Sequence, residues 1–151
     1  MPEQPAELPY LLEAGTLNAA GIAGVHAGIS HLRGVGMARI RQHHFNLSRR
    51  LLAGLVVHPN VTVFNPDPTV GIVAFNIDGW NPLEVARVLD ETYGIGVGAG
   101  LVCAPEAHRL LGTFPEGAVR VSVSITTTER DVDAFCNAIE QLATPVIYTP
   151  D

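Results

Sequence analysis

Ala118 to Ile125 reads Ala-Val-Arg-Val-Ser-Val-Ser-Ile, and Thr128 to Leu142 reads Thr-Glu-Arg-Asp-Val-Asp-Ala-Phe-Cys-Asn-Ala-Ile-Glu-Gln-Leu. In the first stretch Val119, Val121, Val123 and Ile125 alternate with Arg120, Ser122 and Ser124, the period-two pattern of a strand with one buried face. In the second, Val132, Phe135, Ile139 and Leu142 recur at intervals of three, four and three, one stripe of a helix. Thr128 stands where a hydroxyl can cap that helix. A half-buried strand followed by an amphipathic helix predicts a sheet with helices packed on it.

Working outward, Asn81-Pro82 opens a helix with Pro in its first turn, and Leu83, Val85, Ala86, Val88 and Leu89 supply its apolar side. Val61 to Phe64 and Val70 to Asn76 read as strands, separated by the turn Asn65-Pro-Asp-Pro68. Ile95 to Ala99 reads as a Gly-rich strand, and Pro105 to Leu111 as a short helix. Further back, a small-residue helix from Asn18 to Leu32 carries Gly21, Gly24 and Gly28 on one face. Each glycine costs a helix about 1 kcal/mol against Ala, so the stripe points to close packing against another backbone. After the Gly34-Val35-Gly36 break a second helix places Met37, Ile40, His44, Leu47, Leu51 and Leu55 on its inner side. The expected order is two helices, then β-β-α-β-α-β-α. That is an α/β chain of the α+β two-layer kind, with a mixed or antiparallel sheet. Residues 1–9 read as an extended arm, 10–143 as the domain and 144–151 as a tail.

The 151 residues have the length of one domain, and 47% hydrophobic with 16% charged residues is the balance of a chain that buries a core. Every apolar stretch is broken well before 18 residues, so no membrane span is expected. The acidic, Pro-rich N-terminus is unlike a secretory leader, and the reading is cytoplasmic. Net charge is −6, and all nine basic residues are Arg, for there is no Lys. With no basic cluster beyond Arg49-Arg50, neither nucleic acid nor an anionic membrane surface is an expected partner. Cys103 and Cys136 form no CxxC, and His43-His44 point about 100° apart on a helix, so no metal site is expected.

Three stretches carry a family resemblance. Leu12 to Gly24, Leu-Glu-Ala-Gly-Thr-Leu-Asn-Ala-Ala-Gly-Ile-Ala-Gly, resembles the "EAGTxNxxGIxG" segment of cysteine desulfurases. Leu89 to Pro105 is similar to "LDxxYGIxVRAGxHCAP", and Ala107 to Ser122 to "AHxxxGTxxxGxVRxS". In order and in spacing they identify the chain as a member of the class V aminotransferases of the cysteine desulfurase-like type. The resemblance covers residues 10 to 143 and implies the small C-terminal domain of the fold-type I transferase fold that uses pyridoxal phosphate.

The resemblance also implies roles. Cys103 matches the sulfur-accepting Cys, which attacks the substrate's sulfur as a thiolate and then holds a persulfide. Its loop position before Pro105 suits that work, while a small buried hydrophobe is the other reading. Cys136, on the amphipathic helix, reads as packing. Arg120 matches the Arg that clamps the amino-acid carboxylate through two parallel hydrogen bonds; a surface Arg is the alternative. Gly15 and Thr16 match the pair that reaches the cofactor phosphate across a dimer, and a locally capped helix start is the alternative.

Departures weigh against chemistry by this chain alone. Gly98 stands where relatives have Arg, Val102 where they have His, and Thr126-Thr127-Thr128 replace an aromatic-Asn-Thr stretch. The family holds pyridoxal phosphate on a Lys of a preceding, larger domain, and this sequence has none. The cofactor is therefore expected only in a complete or reconstituted enzyme. The expected partners are a second copy or a separate cofactor-binding half, making a split enzyme that acts on an amino acid. A non-catalytic dimerisation or binding module, or a truncated remnant, is the alternative.

Overall fold

The computed structural model describes residues 5–13, 15–68 and 70–144. The start of the expected arm, 1–4, and the end of the expected tail, 145–151, lie outside the described residues. The chain divides into two compact units, 1–37 and 38–151.

In the first unit the backbone turns early, with the Leu11 amide donating to the Glu7 carbonyl at 2.9 Å. A single 3-10 turn spans Tyr10–Leu12. Helix α1 (Ala19–Val35) is capped by the Asn18 side chain, which accepts from the Gly21 amide at 2.9 Å. It ends at Gly36, whose φ of +91° breaks the helix. The glycine stripe does not meet a backbone in this unit. A Cβ on Gly24 or Gly28 would meet open space, and α1 has no buried residue.

The second unit is built on a three-stranded antiparallel sheet in the order β1-β2-β3. Strand β1 (Val61–Val63) pairs with β2 (Ile72–Ile77) in the register Val61↔Ile77, and β2 pairs with β3 (Val119–Ser122) in the register Phe75↔Val119. One face is apolar: Val73, Phe75 and Ile77 of β2 and Val119 and Val121 of β3 are buried. Against it lie Leu47, Leu51 and Leu55 of α2 (Met37–Val56), Val85 and Leu89 of α3 (Pro82–Tyr93), and Val132, Phe135 and Ile139 of α5 (Glu129–Ala143). Each such side chain contributes about 1.5–3 kcal/mol by burial. Phe75 and Phe135 meet edge to face with ring centroids 5.9 Å apart. The α+β two-layer class expected from the sequence is the architecture found.

One expected strand is absent. Ile95 to Ala99 makes only a single bridge, Gly98 with Arg120. Glycine at 94, 96, 98 and 100 leaves half the segment without side chains to pack on a sheet. Gly94 is used up as the left-handed cap of α3. The sheet therefore stops at β3, and the chain beyond α3 runs as a loop into α4 (Pro105–Leu111).

Candidate functional site

The loop that replaces the missing strand carries Cys103. Its first part lies against β3: the Gly98 amide donates to the Arg120 carbonyl at 3.0 Å and the Arg120 amide to the Gly98 carbonyl at 2.7 Å. Two residues on, the Ala118 amide donates to the Gly100 carbonyl at 3.3 Å. Beyond Gly100 the backbone is unusual. Val102 has φ +44° and Cys103 φ +60°, the two non-glycine residues with positive φ among those described. The left-handed region disfavours β-branched residues most. Such consecutive outliers persist only where the surroundings fix them.

Cys103 is exposed, and Ala104 then leads into α4, with Pro105 in its first turn. The thiol thus stands on an open loop and not as a buried apolar group. Cys136 is half-buried on α5 against the core, and burial pushes its thiol above the ordinary range. A Cβ on Gly54 would overlap the Cys136 sulfur, so α2 and α5 approach closely there.

Arg120 projects from the solvent side of β3, between buried Val119 and Val121. Ion pairs among the described residues use Arg50, Arg87 and Arg109, not Arg120. Its guanidinium rests beside Gly98, where a Cβ would stand 3.4 Å from Nε and from Nη2. An unpaired guanidinium on an exposed strand face can take a carboxylate in two parallel hydrogen bonds. Cys103 and Arg120 are thus tied to one short crossing, 98–100 against 118–120.

Gly15 and Thr16 belong to the first unit. Both are exposed, and Gly15 has φ +107° with open space where a side chain would be. The Thr16 hydroxyl and neighbouring amides have the chemistry of phosphate donors. With no Lys in the sequence, however, the residues present cannot hold pyridoxal phosphate covalently.

Several side chains that support the site were not evident from the sequence. Asn76 of β2 donates from Nδ2 to the Gly117 carbonyl at 3.1 Å and accepts on Oδ1 from the Val119 amide at 3.3 Å. Buried His108 hydrogen-bonds through Nδ1 to the Thr113 hydroxyl at 2.7 Å, closing the end of α4. The Asn on the sheet's polar face and the His before Gly-Thr were the available signals, but only the fold reveals their partners. Thr126 and Thr127 serve a local turn: the Ser124 amide donates to the Thr127 hydroxyl at 2.9 Å, and the Ser124 and Thr126 hydroxyls lie 2.8 Å apart. The Thr127 carbonyl bonds His43 Nε2 at 2.9 Å. Among the described residues no group of three or more His, Cys, Asp or Glu is placed to hold a metal, and no helix is long and apolar enough to cross a membrane.

A small antiparallel sheet with helices on one face, an exposed loop Cys and a strand Arg define a domain of the pyridoxal-phosphate transferase fold. Residues 3–135 match the family Aminotransferase class-V. The chain belongs to that family, in its cysteine desulfurase-like branch. It is 33% identical over 139 residues to a "Probable cysteine desulfurase" of Methanothermobacter thermautotrophicus, covering 91% of this chain and 35% of that protein. It is 35% identical over 135 residues to a "Probable cysteine desulfurase" of Halalkalibacterium halodurans, covering 89% and 32%. Among solved structures, the apo cysteine desulfurase of Thermococcus onnurineus NA1 superposes with a TM-score of 0.82 at 33% identity, over 89% of this chain and 34% of that one. The chain spans about a third of the length of the relatives it matches.

Proposed function

We propose that this chain is the part of a desulfurase-like enzyme that receives sulfur and clamps the amino acid, working with a cofactor-bearing half that its own 151 residues do not contain. The observation that carries the reading is the exposed Cys103 on a loop anchored to the strand that bears Arg120. Arg120 holds the carboxylate of cysteine, and the Cys103 thiolate takes its sulfur. A sulfur–sulfur bond forms at Cys103, the substrate's carbon–sulfur bond breaks, and its electron pair stays on the carbon, which takes up a proton to give alanine. When bound in a complete enzyme, pyridoxal phosphate supplies the electron sink for that bond cleavage. Gly15 and Thr16 would offer donors to its phosphate. The chain alone is inactive on this reading. It works in the cytoplasm, as a homodimer or in complex with the cofactor-bearing half, with no nucleic-acid or membrane partner.

The test is to mix the chain with the cofactor-binding half of a relative and supply cysteine. The expected result is a stable coloured complex and added sulfur on Cys103 by mass spectrometry, lost in Cys103→Ser. Two independent, colourless species with no added sulfur would sink the reading. A second reading, a non-catalytic association module, is favoured by the exposed Ile22, Val25 and Ile29 of α1, which are 52–63% exposed. On that reading Cys103→Ser changes nothing but thiol labelling.

A further inference from the structure

The left-handed pair Val102-Cys103 is not supported within its own loop, where the Ala104 amide donating to the Leu101 carbonyl at 2.8 Å closes a turn but leaves both residues at positive φ. Support comes from either end. At the entry, Gly100 is pressed against Gly117. A Cβ on Gly117 would overlap the Gly100 carbonyl and lie 2.6 Å from its Cα, and the adjoining Ala118 amide bonds the Gly100 carbonyl. Gly117 is in turn fixed to the sheet by Asn76, which holds its carbonyl and the amide of Val119 with one carboxamide. At the exit, α4 runs from Pro105 to His108, which bonds Thr113, and the Thr113 carbonyl accepts from the Gly117 amide at 2.6 Å. The circuit Gly100–Gly117–Thr113–His108–α4 closes on the Cys103 loop from both sides.

We propose that Asn76, Gly100 and Gly117 form a clasp that holds the Cys103 loop in its left-handed conformation, so that Asn76 and Gly117 are positioning residues for the thiol. The physical requirement is simple. A short loop pinned at both ends must reverse direction in few residues, and positive φ at 102 and 103 does this at a cost in backbone strain. The glycine at 117 is needed because any side chain there would fill the space of the Gly100 backbone, and its own φ is +84°. The Asn76 carboxamide matches a neighbouring carbonyl and amide with one acceptor and one donor, which neither Asp nor Leu reproduces. This deepens the reading of Cys103 as the sulfur acceptor but concerns conformation, not sulfur.

The test uses the chain itself. Asn76→Ala removes both bonds without straining the backbone, and Asn76→Asp keeps the acceptor for Val119 but loses the donor to Gly117. Val102→Asn accepts positive φ more readily than a β-branched residue. Two readouts are taken: urea unfolding, and the pH profile of Cys103 alkylation by iodoacetamide, resolved by mass spectrometry from Cys136 as the internal control. The expected result is that Asn76→Ala changes Cys103 alkylation by about threefold or more and moves its pH midpoint, with Cys136 unaltered and Asn76→Asp in between. Val102→Asn should raise the urea midpoint in the parent chain but not in the Asn76→Ala background, where the relaxed loop has no strain to relieve. An equal gain in both backgrounds, or an unchanged Cys103 profile in Asn76→Ala, overturns the clasp. Should Asn76→Ala not fold, Val102→Asn decides alone, because a variant no more resistant to urea than the parent overturns the proposal. Sulfur on Cys103 enters neither readout, so failure of the clasp and failure of the desulfurase reading are separate results.

Discussion

Helix α5 and the loop 98–104 are of similar importance to this domain and are built on opposite terms. In α5 every local preference agrees with the tertiary structure. The Thr128 hydroxyl accepts from the Asp131 amide while Asp131 accepts from the Thr128 amide, a reciprocal capping box, and the apolar stripe faces the sheet. In 98–104 local preference is overruled. A Gly-rich segment with strand-like alternation is denied a place in the sheet, and a β-branched residue is held at positive φ. Consistency between levels marks elements that fold the chain, and conflict marks elements that do its chemistry.

If α5 is the folding side of that contrast, removing its central side chain should be the most damaging change. Phe135 is 2% exposed and lies against Phe75. Phe135→Ala should cost about 3–5 kcal/mol, enough to unfold much of the population, read by urea denaturation and circular dichroism. A loss well under that would mean that α5 is not what the sheet depends on.

Next in size is the contact between α2 and α5. Because the Cβ of an alanine at 54 would overlap Cys136, Gly54→Ala should destabilise by about 1–3 kcal/mol through overpacking. In a Cys136→Ala background the clash is gone, and the same change should become neutral or stabilising by up to about 1 kcal/mol, the helix propensity gain. Equal effects in both backgrounds would remove the close approach of the two helices and blur the contrast between a packed Cys136 and an open Cys103.

Legibility in the sequence divides along the same line. The strand at 118–125, the helix from 129, its Thr128 cap and the helix opened by Asn81-Pro82 can be read because period, cap and burial coincide there. The resemblance, carried by motifs from Leu12 to Ser122, points to the family and the architecture. The stretch at 95–99 misleads, since valine and isoleucine alternating with glycine look like a strand until packing is considered. The Asn76 and His108 supports are invisible, because their partners are 41 and five residues away and depend on turns that no pattern specifies. The glycine stripe of α1 is legible as small residues on one face, but nothing in its own unit packs against it.

A smaller effect belongs to the cap. Thr128→Ala removes the hydroxyl that receives the Asp131 amide and should cost about 0.5–2 kcal/mol. Thr128→Ser should restore most of it. If Ala and Ser behave alike in thermal unfolding, the capping box is geometry without energy, and α5 rests on its stripe alone.

The smallest effect separates the cap from the ion pair that also binds α5, and it does so by pH. Asp131 is held below the usual carboxylate range by the Thr128 amide and then by its hydroxyl, and Asp133 by its bidentate hydrogen bonds to Arg50 at 2.6 and 2.9 Å. A depressed folded pKa means that each carboxylate stabilises the fold above its unfolded value, about 3.9, and that the contribution fades as pH falls through the lower folded value. Both groups lie at the surface, so the acid-induced loss should be small for each. Salt should tell them apart. The Arg50–Asp133 pair is exposed and weakens with ionic strength, whereas the Thr128–Asp131 bonds involve a neutral partner and do not. Asp131→Asn should therefore flatten the acid limb of stability equally at low and high salt, and Asp133→Asn only at low salt. The opposite assignment would show that charge, not the reciprocal cap, fixes the start of the helix the sheet depends on.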